Sequence, residues 1–222
     1  MLLQLADLCV EIQNQYPYLA RQCRDYLTDG AGTPDLSVSI PAEMIAAERA
    51  LATEDYTDGY FDSICAYRAL CLELPRFDGF LLHAAVIAMD GAGYAFAANS
   101  GVGKSTHIRF WRQQFGSRVT VVNGDKPIVR RVGGSWYAYG TPWCGKEGWQ
   151  SNTAAPLRGL CFLRRGQQNQ MERLSVEDAV PLLFGQLLPL TDEAQAERLF
   201  TLLDQFVREV PFYALSCTLD PT

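Results

Sequence analysis

The rhythm of hydrophobic and polar positions changes once along this chain, near residue 78. Before that point it is irregular. The alternating stretch LLQLADLCVEI predicts an opening strand. PYLARQCRDYL has helical spacing with Pro17 at its start, where the missing proline N–H costs nothing. After the break TDGAGTPD, LSVSI predicts a short strand and PAEMIAAERALA a helix with Pro41 at its first turn. YFDSICAYRALCLEL predicts a further helix, with apolar residues at Phe61, Ile64, Ala69, Leu72 and Leu74.

Beyond residue 78 strands dominate. FLLHAAVIAM predicts one buried strand, DGAG (90–93) a hairpin turn, and YAFAA a second strand that runs into a glycine-rich loop. KSTHIRFWRQQFG predicts a helix with Ile108, Trp111 and Phe115 on one face, Arg112 and Gln113 on the other, and Gly116 at its stop. RVTVVN predicts a short buried strand, and KPIVRRV and SWYAYG a hairpin about a Gly-Gly turn. A loop over 141–156, a strand LRGLCFLRR, the turn GQQN, two helices and a closing strand FYALSC follow. A strand–loop–helix–strand core inside a strand-rich half predicts an α/β class. Residues 1–77 then form an N-terminal α+β segment packed on a core of 78–222.

Composition narrows the function classes. No run approaches the roughly 18 apolar residues of a membrane span, and a net charge of −6 argues against nonspecific nucleic-acid binding. A small anion is still allowed, because backbone amides can hold a phosphate inside an acidic protein. Seven cysteines form no CxxC pair, and His83 and His107 complete no zinc spacing. With a start that lacks a basic leader and carries Asp7 and Glu11, this predicts a cytoplasmic chain whose thiols are reduced and mostly fill the core.

The chemistry concentrates in ANSGVGKST (98–106), which has the order strand, glycine-rich loop, helix that a phosphate-binding loop requires. Asn99, Ser100, Gly101, Val102, Gly103, Lys104, Ser105 and Thr106 are the candidate nucleotide-binding residues. Gly101 and Gly103 let the backbone turn its N–H groups inward at dihedrals a side chain resists. Lys104 supplies charge to the β- and γ-phosphates, its side chain expected to point into solvent when no ligand is bound. Ser105 offers a hydroxyl to Mg²⁺, and the helix directs its positive end at the anion. A second stretch, GTPWCGKE (140–147), also spaces Gly from Gly-Lys, but Glu147 repels phosphate and Pro142, Gly148 and Trp149 oppose a helix. It is not a second phosphate loop.

The run HAAVIAMDGAGYAFAANSGVGKST resembles the C-terminal catalytic domain of HPr kinase/phosphorylase, a family related in fold to phosphoenolpyruvate carboxykinases. His83 matches the histidine strand before the hairpin, and SGVGKS (100–105) the loop after it. The acidic pair that follows the next strand in that family falls on NGD: Asp125 matches its second acid, and Gly124 stands in place of the first. The stretches GKSTH, NGDKP and PWCGKEG are shared with bacterial HPr-kinase-like proteins. The likeness covers about residues 78–165 and reaches neither the N-terminal segment nor the family's C-terminal helical signature.

The resemblance implies an ATP- and Mg²⁺-dependent kinase acting on a hydroxyl of a peptide, a protein serine or a small metabolite. Asp125 and Ser105 would hold the metal. Asp125 or Glu147 would serve as base, His83 would act near the phosphates and Lys146 would neutralise transition-state charge. Cys144, with no histidine near it in sequence, is not a candidate nucleophile, and Arg164 and Arg165 are candidate phosphate contacts at a strand end. His107 is expected to face outward or to cap local polar groups. A homo-oligomer is compatible with this picture. The alternatives are a nucleotide-binding module without catalysis, which Gly124 favours, and a hydrolase.

Overall fold

Two glycine-free residues turn the opening stretch into a hairpin rather than the single strand its alternation predicts. In the computed structural model, which describes every residue except Ala31, Ser100, 189–191 and 219–222, β1 (Leu2–Leu5) and β2 (Leu8–Gln13) pair antiparallel. Ala6 and Asp7 between them sit at φ 53° and 58°, the double positive φ of a two-residue hairpin turn. Asn-Gly or Asp-Gly would have advertised that turn; Ala-Asp does not. Asp7 is held by the Tyr139 hydroxyl, which donates to its carboxylate at 2.5 Å. β3 (Leu36–Ser39) joins β2 in parallel and completes a three-stranded sheet.

Three helices lie with this sheet: α1 (Pro17–Gln22), α2 (Ala42–Leu51) and α3 (Asp58–Glu73). Phe61 and Leu74 are buried, whereas Ile64, Ala69 and Leu72 are only half-buried. The packed face of α3 runs instead through Cys65, Ala66, Leu70 and Cys71, so thiols serve as small apolar filler. Asp62 is fully buried, and its carboxylate accepts the backbone N–H groups of Gln15 (3.1 Å) and Tyr16 (2.9 Å), which fixes the chain where α1 begins. This core does not stop at residue 77. Leu81, Ile128, Tyr139 and Trp143 bury in it beside residues of the three-stranded sheet.

The second sheet has nine strands: β4 (Gly79–Leu81), β5 (Ala84–Met89), β6 (Ala92–Ala97), β7 (Val119–Asn123), β8 (Ile128–Val132), β9 (Ser135–Tyr139), β10 (Ala154–Arg165), β11 (Gln170–Arg173) and β12 (Phe212–Cys217). Its path is β4-β8-β9-β10-β6-β5-β7, with β12 beside β10 and β11 beside β12. The long β10 begins antiparallel to β9 and continues parallel to β6 and β12. It starts earlier than the sequence predicts, and β11 was not predicted between the GQQN turn and the helices. The predicted single strand FLLHAAVIAM breaks at Leu82–His83, because β4 pairs with β8 while β5 pairs with β6 and β7. Two such pairings cannot share one straight strand, and His83 stands at the change of partner.

Strand side chains alternate between two covers. Ala85, Ile87, Phe96, Cys161 and Leu163 pack towards α4 (Lys104–Phe115), whose Ile108 is fully buried. Val86, Ala95, Ala97, Leu160 and Phe162 face α5 (Val176–Phe184) and α6 (Glu193–Glu209). Helices on both faces give a mixed α/β architecture. Among the described residues no helix is long and apolar enough to cross a membrane.

Gly140, just after β9, marks the tightest approach of backbone to backbone. A Cβ there would stand 1.8 Å from the Ser151 carbonyl oxygen and 2.6 Å from that of Val122. No rotamer relieves such a clash. Gly140→Ala is expected to cost on the order of 3 kcal/mol, a fall in Tm of roughly 10 °C. Thermal unfolding beside Gly32→Ala, where nothing lies within 4 Å, checks this; equal melting of the two variants would refute it.

Candidate functional site

The loop between β6 and α4 has the backbone its glycines predict. Gly101 lies at φ 79° and Gly103 at φ 126°, with no atom closer than 4.0 Å to a built Cβ at either position. Conformation, not crowding, is therefore what demands glycine here. Ser100, part of the predicted site, lies outside the described residues. The helical ladder of α4 starts with the His107 N–H donating to the Gly103 carbonyl at 2.9 Å, so the N–H groups of Lys104, Ser105 and Thr106 have no partner within it. Asn99 is exposed, and Val102, Ser105 and Thr106 are half-buried along the turn into the helix.

Lys104 does not point into solvent, contrary to the expectation. Its Nζ donates to the Ala98 carbonyl at 3.0 Å and lies 3.0 Å from His83 Nε2. Burial lowers its pKa, with Lys126 acting in the same direction and the Asp125 charge opposing both. His83 Nε2 is also 3.2 Å from Asp125 Oδ1, and Asp125 Oδ2 receives Lys126 Nζ at 2.5 Å. His83, Lys104 and Asp125 thus converge from the β4–β5 break, the start of α4 and the end of β7. Burial alone would raise the Asp125 carboxyl, but the hydrogen bonds from His83 and Lys126, with their charges, outweigh it and hold the group well below the usual carboxylate range.

Asn123 builds the turn that presents this carboxylate. It is fully buried, and its Oδ1 accepts the N–H groups of Asp125 (2.8 Å) and Lys126 (2.7 Å). Its Nδ2 donates to the Thr141 carbonyl at 3.0 Å, and the Thr141 hydroxyl in turn donates to the Lys126 carbonyl at 2.7 Å. Asn123, Lys126 and Thr141 were not foreseen as site residues. The signal was an Asn two residues before an Asp, which is the spacing of a side chain that hydrogen-bonds its own turn.

Gly124 has a steric explanation. A Cβ there would meet the Cys144 carbonyl oxygen at 2.9 Å and that of Trp149 at 3.3 Å, and its N–H donates to the Trp149 carbonyl at 2.8 Å. The loop after β9 fills the volume an acidic side chain would need. That loop is pinned at both ends. Trp143 is buried and its Nε1 donates to Ser63 Oγ at 3.0 Å, while Trp149 lies under Arg109 and Arg112, each 5.5 Å from its ring centre. Gln22 and Tyr26 add bonds from the N-terminal segment, to the Pro142 carbonyl (3.1 Å) and Gln150 Oε1 (2.5 Å). No helix follows Gly145 and Lys146. Lys146 and Glu147 are exposed on this loop, and Glu147 Oε1 lies 3.7 Å from Arg109 Nη2 rather than in the His83–Lys104–Asp125 group.

On the other side of the phosphate-loop sequence is a cavity of about 380 Å³, whose lining includes Val102, Thr106, Phe110, Leu163 and Arg165. Arg165 Nη2 donates to the Gly101 carbonyl at 2.6 Å, and Arg164 pairs with Glu172 at 3.3 Å. His107 also borders this cavity. It does not face outward: its ring packs 4.5 Å from that of Phe96, and Trp111 Nε1 donates to its Nε2 at 3.0 Å. Burial pushes its pKa down to about 4.

Of the two predicted metal ligands, Asp125 stands in the charged cluster and Ser105 is half-buried at the start of α4. Among the described residues no three His, Cys, Asp or Glu side chains converge to cage a metal. Such a sparse set fits Mg²⁺ carried by phosphate and water oxygens, the usual state of Mg²⁺ beside a nucleotide, rather than a resident ion.

No family model matches the chain, and no curated protein matches it. Among solved structures the chain is similar to the HPr(Ser) kinase/phosphatase from Coxiella burnetii. The two are 10% identical with a TM-score of 0.32, over 57% of this chain and 89% of that one. The likeness is distant.

Proposed function

We propose that this protein is a phosphotransferase that moves a phosphoryl group from MgATP to a hydroxyl of a peptide, a protein serine or a small metabolite. One observation carries the reading: a glycine loop whose helix-start amides have no partner within the helical ladder holds Lys104 in the same charged cluster as Asp125. Phosphoryl transfer asks for little else than positioning and charge neutralisation. In this reading the loop amides and Lys104 bind the β- and γ-phosphates, and the cavity beside Phe110 and Arg165 receives the nucleoside. Ser105 and Asp125 would hold the Mg²⁺ that arrives with ATP, which neutralises phosphate charge. Asp125 orients the acceptor hydroxyl. The bond from the γ-phosphorus to the bridging oxygen breaks, a bond from that phosphorus to the acceptor oxygen forms, and the hydroxyl proton passes to the Asp125 carboxylate.

Labelled ATP incubated with the purified chain and panels of peptides and hydroxylated metabolites tests this. Transfer to an acceptor supports the kinase, and release of phosphate to water alone supports a hydrolase. Nucleotide binding without turnover supports a regulatory module, the reading favoured by the filled space beside Gly124. Absence of nucleotide binding sinks all three.

Lys146 separates the two Gly-Lys stretches. It is exposed on a loop outside the charged cluster, so Lys146→Ala is expected to leave ATP affinity within about twofold, the range of most surface substitutions; a fall in turnover alone would support the transition-state role that the resemblance implies for it. Loss of ATP binding as complete as that expected for Lys104→Ala would show that the second stretch, not the first, is the phosphate site.

A further inference from the structure

Beyond the loop lysine, the cluster holds a second ammonium that the proposed reaction leaves unused. Traced outward from the loop, the contacts run Ala98 carbonyl, Lys104 Nζ, His83 Nε2, Asp125 carboxylate and Lys126 Nζ, at 3.0, 3.0, 3.2 and 2.5 Å. Lys126 therefore stands at the end of this run of contacts, three steps from Lys104. It is built in rather than draped on the surface. The Asn123 side chain holds its N–H and Thr141 its carbonyl, and its ammonium sits 5.7 Å from the Tyr67 ring centre. That ring is buried on α3.

Charge counting gives this residue a role. Lys104 and Lys126 share one carboxylate, and the volume that a second acid would occupy at position 124 is filled by the backbone of Cys144 and Trp149. Two ammonium groups against the single Asp125 carboxylate leave at least one positive charge in excess. A half-buried site with surplus positive charge is matched by an anion. An ammonium has three N–H donors, so a bond to Asp125 leaves donors for phosphate oxygens, and the side chain keeps 30% of its exposure on the open side.

We propose that Lys126 is a phosphate-binding residue of this site, held on Asp125 and aimed at the terminal phosphate of a nucleoside triphosphate or at inorganic pyrophosphate. It supplies there the positive charge that a metal ion held by a second carboxylate would otherwise bring. The proposal rests on the phosphotransferase reading for its nucleotide, but not for its anion.

Calorimetry on the full chain tests it, with ADP, ATP and Mg²⁺-free pyrophosphate as probes and Lys126→Ala, Lys126→Gln and Lys126→Arg as variants. Lys126→Gln keeps the length of the side chain, so a folding failure of the alanine variant does not close the question. Removing the ammonium is expected to weaken ATP and pyrophosphate by about tenfold or more while ADP changes little, since a bond to a charged group is worth about 1.5–3 kcal/mol. Lys126→Arg is expected to keep most of the preference for ATP over ADP. Equal losses for ADP and ATP, or no loss for either, would overturn the proposal and leave the phosphotransferase reading standing. Lys126-dependent binding of pyrophosphate without any binding of ATP would do the reverse. A wild-type chain that binds none of the three probes overturns both.

Discussion

Lys104→Ala is expected to lower ATP affinity by about a hundredfold or more while the chain stays folded. The binding loss follows from removing a charge-assisted bond at a partly dehydrated site, where such bonds are worth about 1.5–3 kcal/mol and more when several phosphate oxygens share them. The folding cost is small for a different reason. Lys104 donates to the Ala98 carbonyl and lies against His83, so the variant leaves the carbonyl of buried Ala98 and the half-buried His83 ring without that one partner. The loss should be about 1 kcal/mol, or a few degrees in Tm. Calorimetry and thermal unfolding on the same preparation separate the two effects. Unchanged ATP affinity in the folded variant would remove the assignment of 98–106 as a phosphate loop.

Asp125→Asn is the second large effect, and it bears on mechanism. The change keeps size and removes one negative charge, so the Asn123 turn beneath it should persist: that turn uses the backbone N–H of Asp125, not its carboxylate. A neutral amide oxygen is a poorer ligand for a hard cation, so the variant should need far more Mg²⁺ for the same ATP affinity. If Asp125 also receives the acceptor proton, turnover should stay lower by roughly 10²-fold or more at saturating Mg²⁺. Full recovery at high Mg²⁺ would move the base elsewhere. Glu147 is then the next residue to replace, although it pairs with Arg109 in this structure. Unchanged Mg²⁺ dependence and unchanged turnover together would reduce Asp125 to a turn residue.

The effect of Asp125→Asn also depends on its neighbours. Without the carboxylate, Lys126 loses its partner and His83 one of the two groups near its Nε2. Metal-free anions should therefore bind the variant no more weakly than the wild type, even as Mg²⁺ is used less well. Measuring pyrophosphate and MgATP on the same variant distinguishes these opposing consequences of one charge.

Much of the site was legible in the linear sequence because its parts are local. The loop glycines, Lys104 and the helix behind them are contiguous, and their order carries the conformational requirement directly: positive φ at Gly101 and Gly103, then an amphipathic run that buries Ile108. The turn at Asp90–Gly91 and the Gly133–Gly134 turn were legible for the same reason, since each needs only the φ freedom of its own residues. Where local chemistry is silent, the prediction failed. Ala6–Asp7 makes a hairpin turn without glycine, and FLLHAAVIAM hides a break because a continuous apolar run looks the same whether its two halves have one set of partners or two.

By itself, then, the sequence determined most of the elements, though not every boundary, and the one motif whose geometry is set within nine consecutive residues. It also marked Asp125 at the end of a buried strand. Only the tertiary structure decided which groups meet there. His83 joins Lys104 because β4 and β5 part company at that residue, and Lys126 joins Asp125 because Asn123 folds the intervening backbone into a turn. Gly124 is glycine because residues 144–149, anchored through Trp143 on α3 and Trp149 on α4, lie against it. Contacts of this kind depend on the packing of elements far apart in the chain, and hydrophobic burial, which drives that packing, is non-directional. A periodicity therefore shows which side of an element turns inward, but not which distant element it will find there.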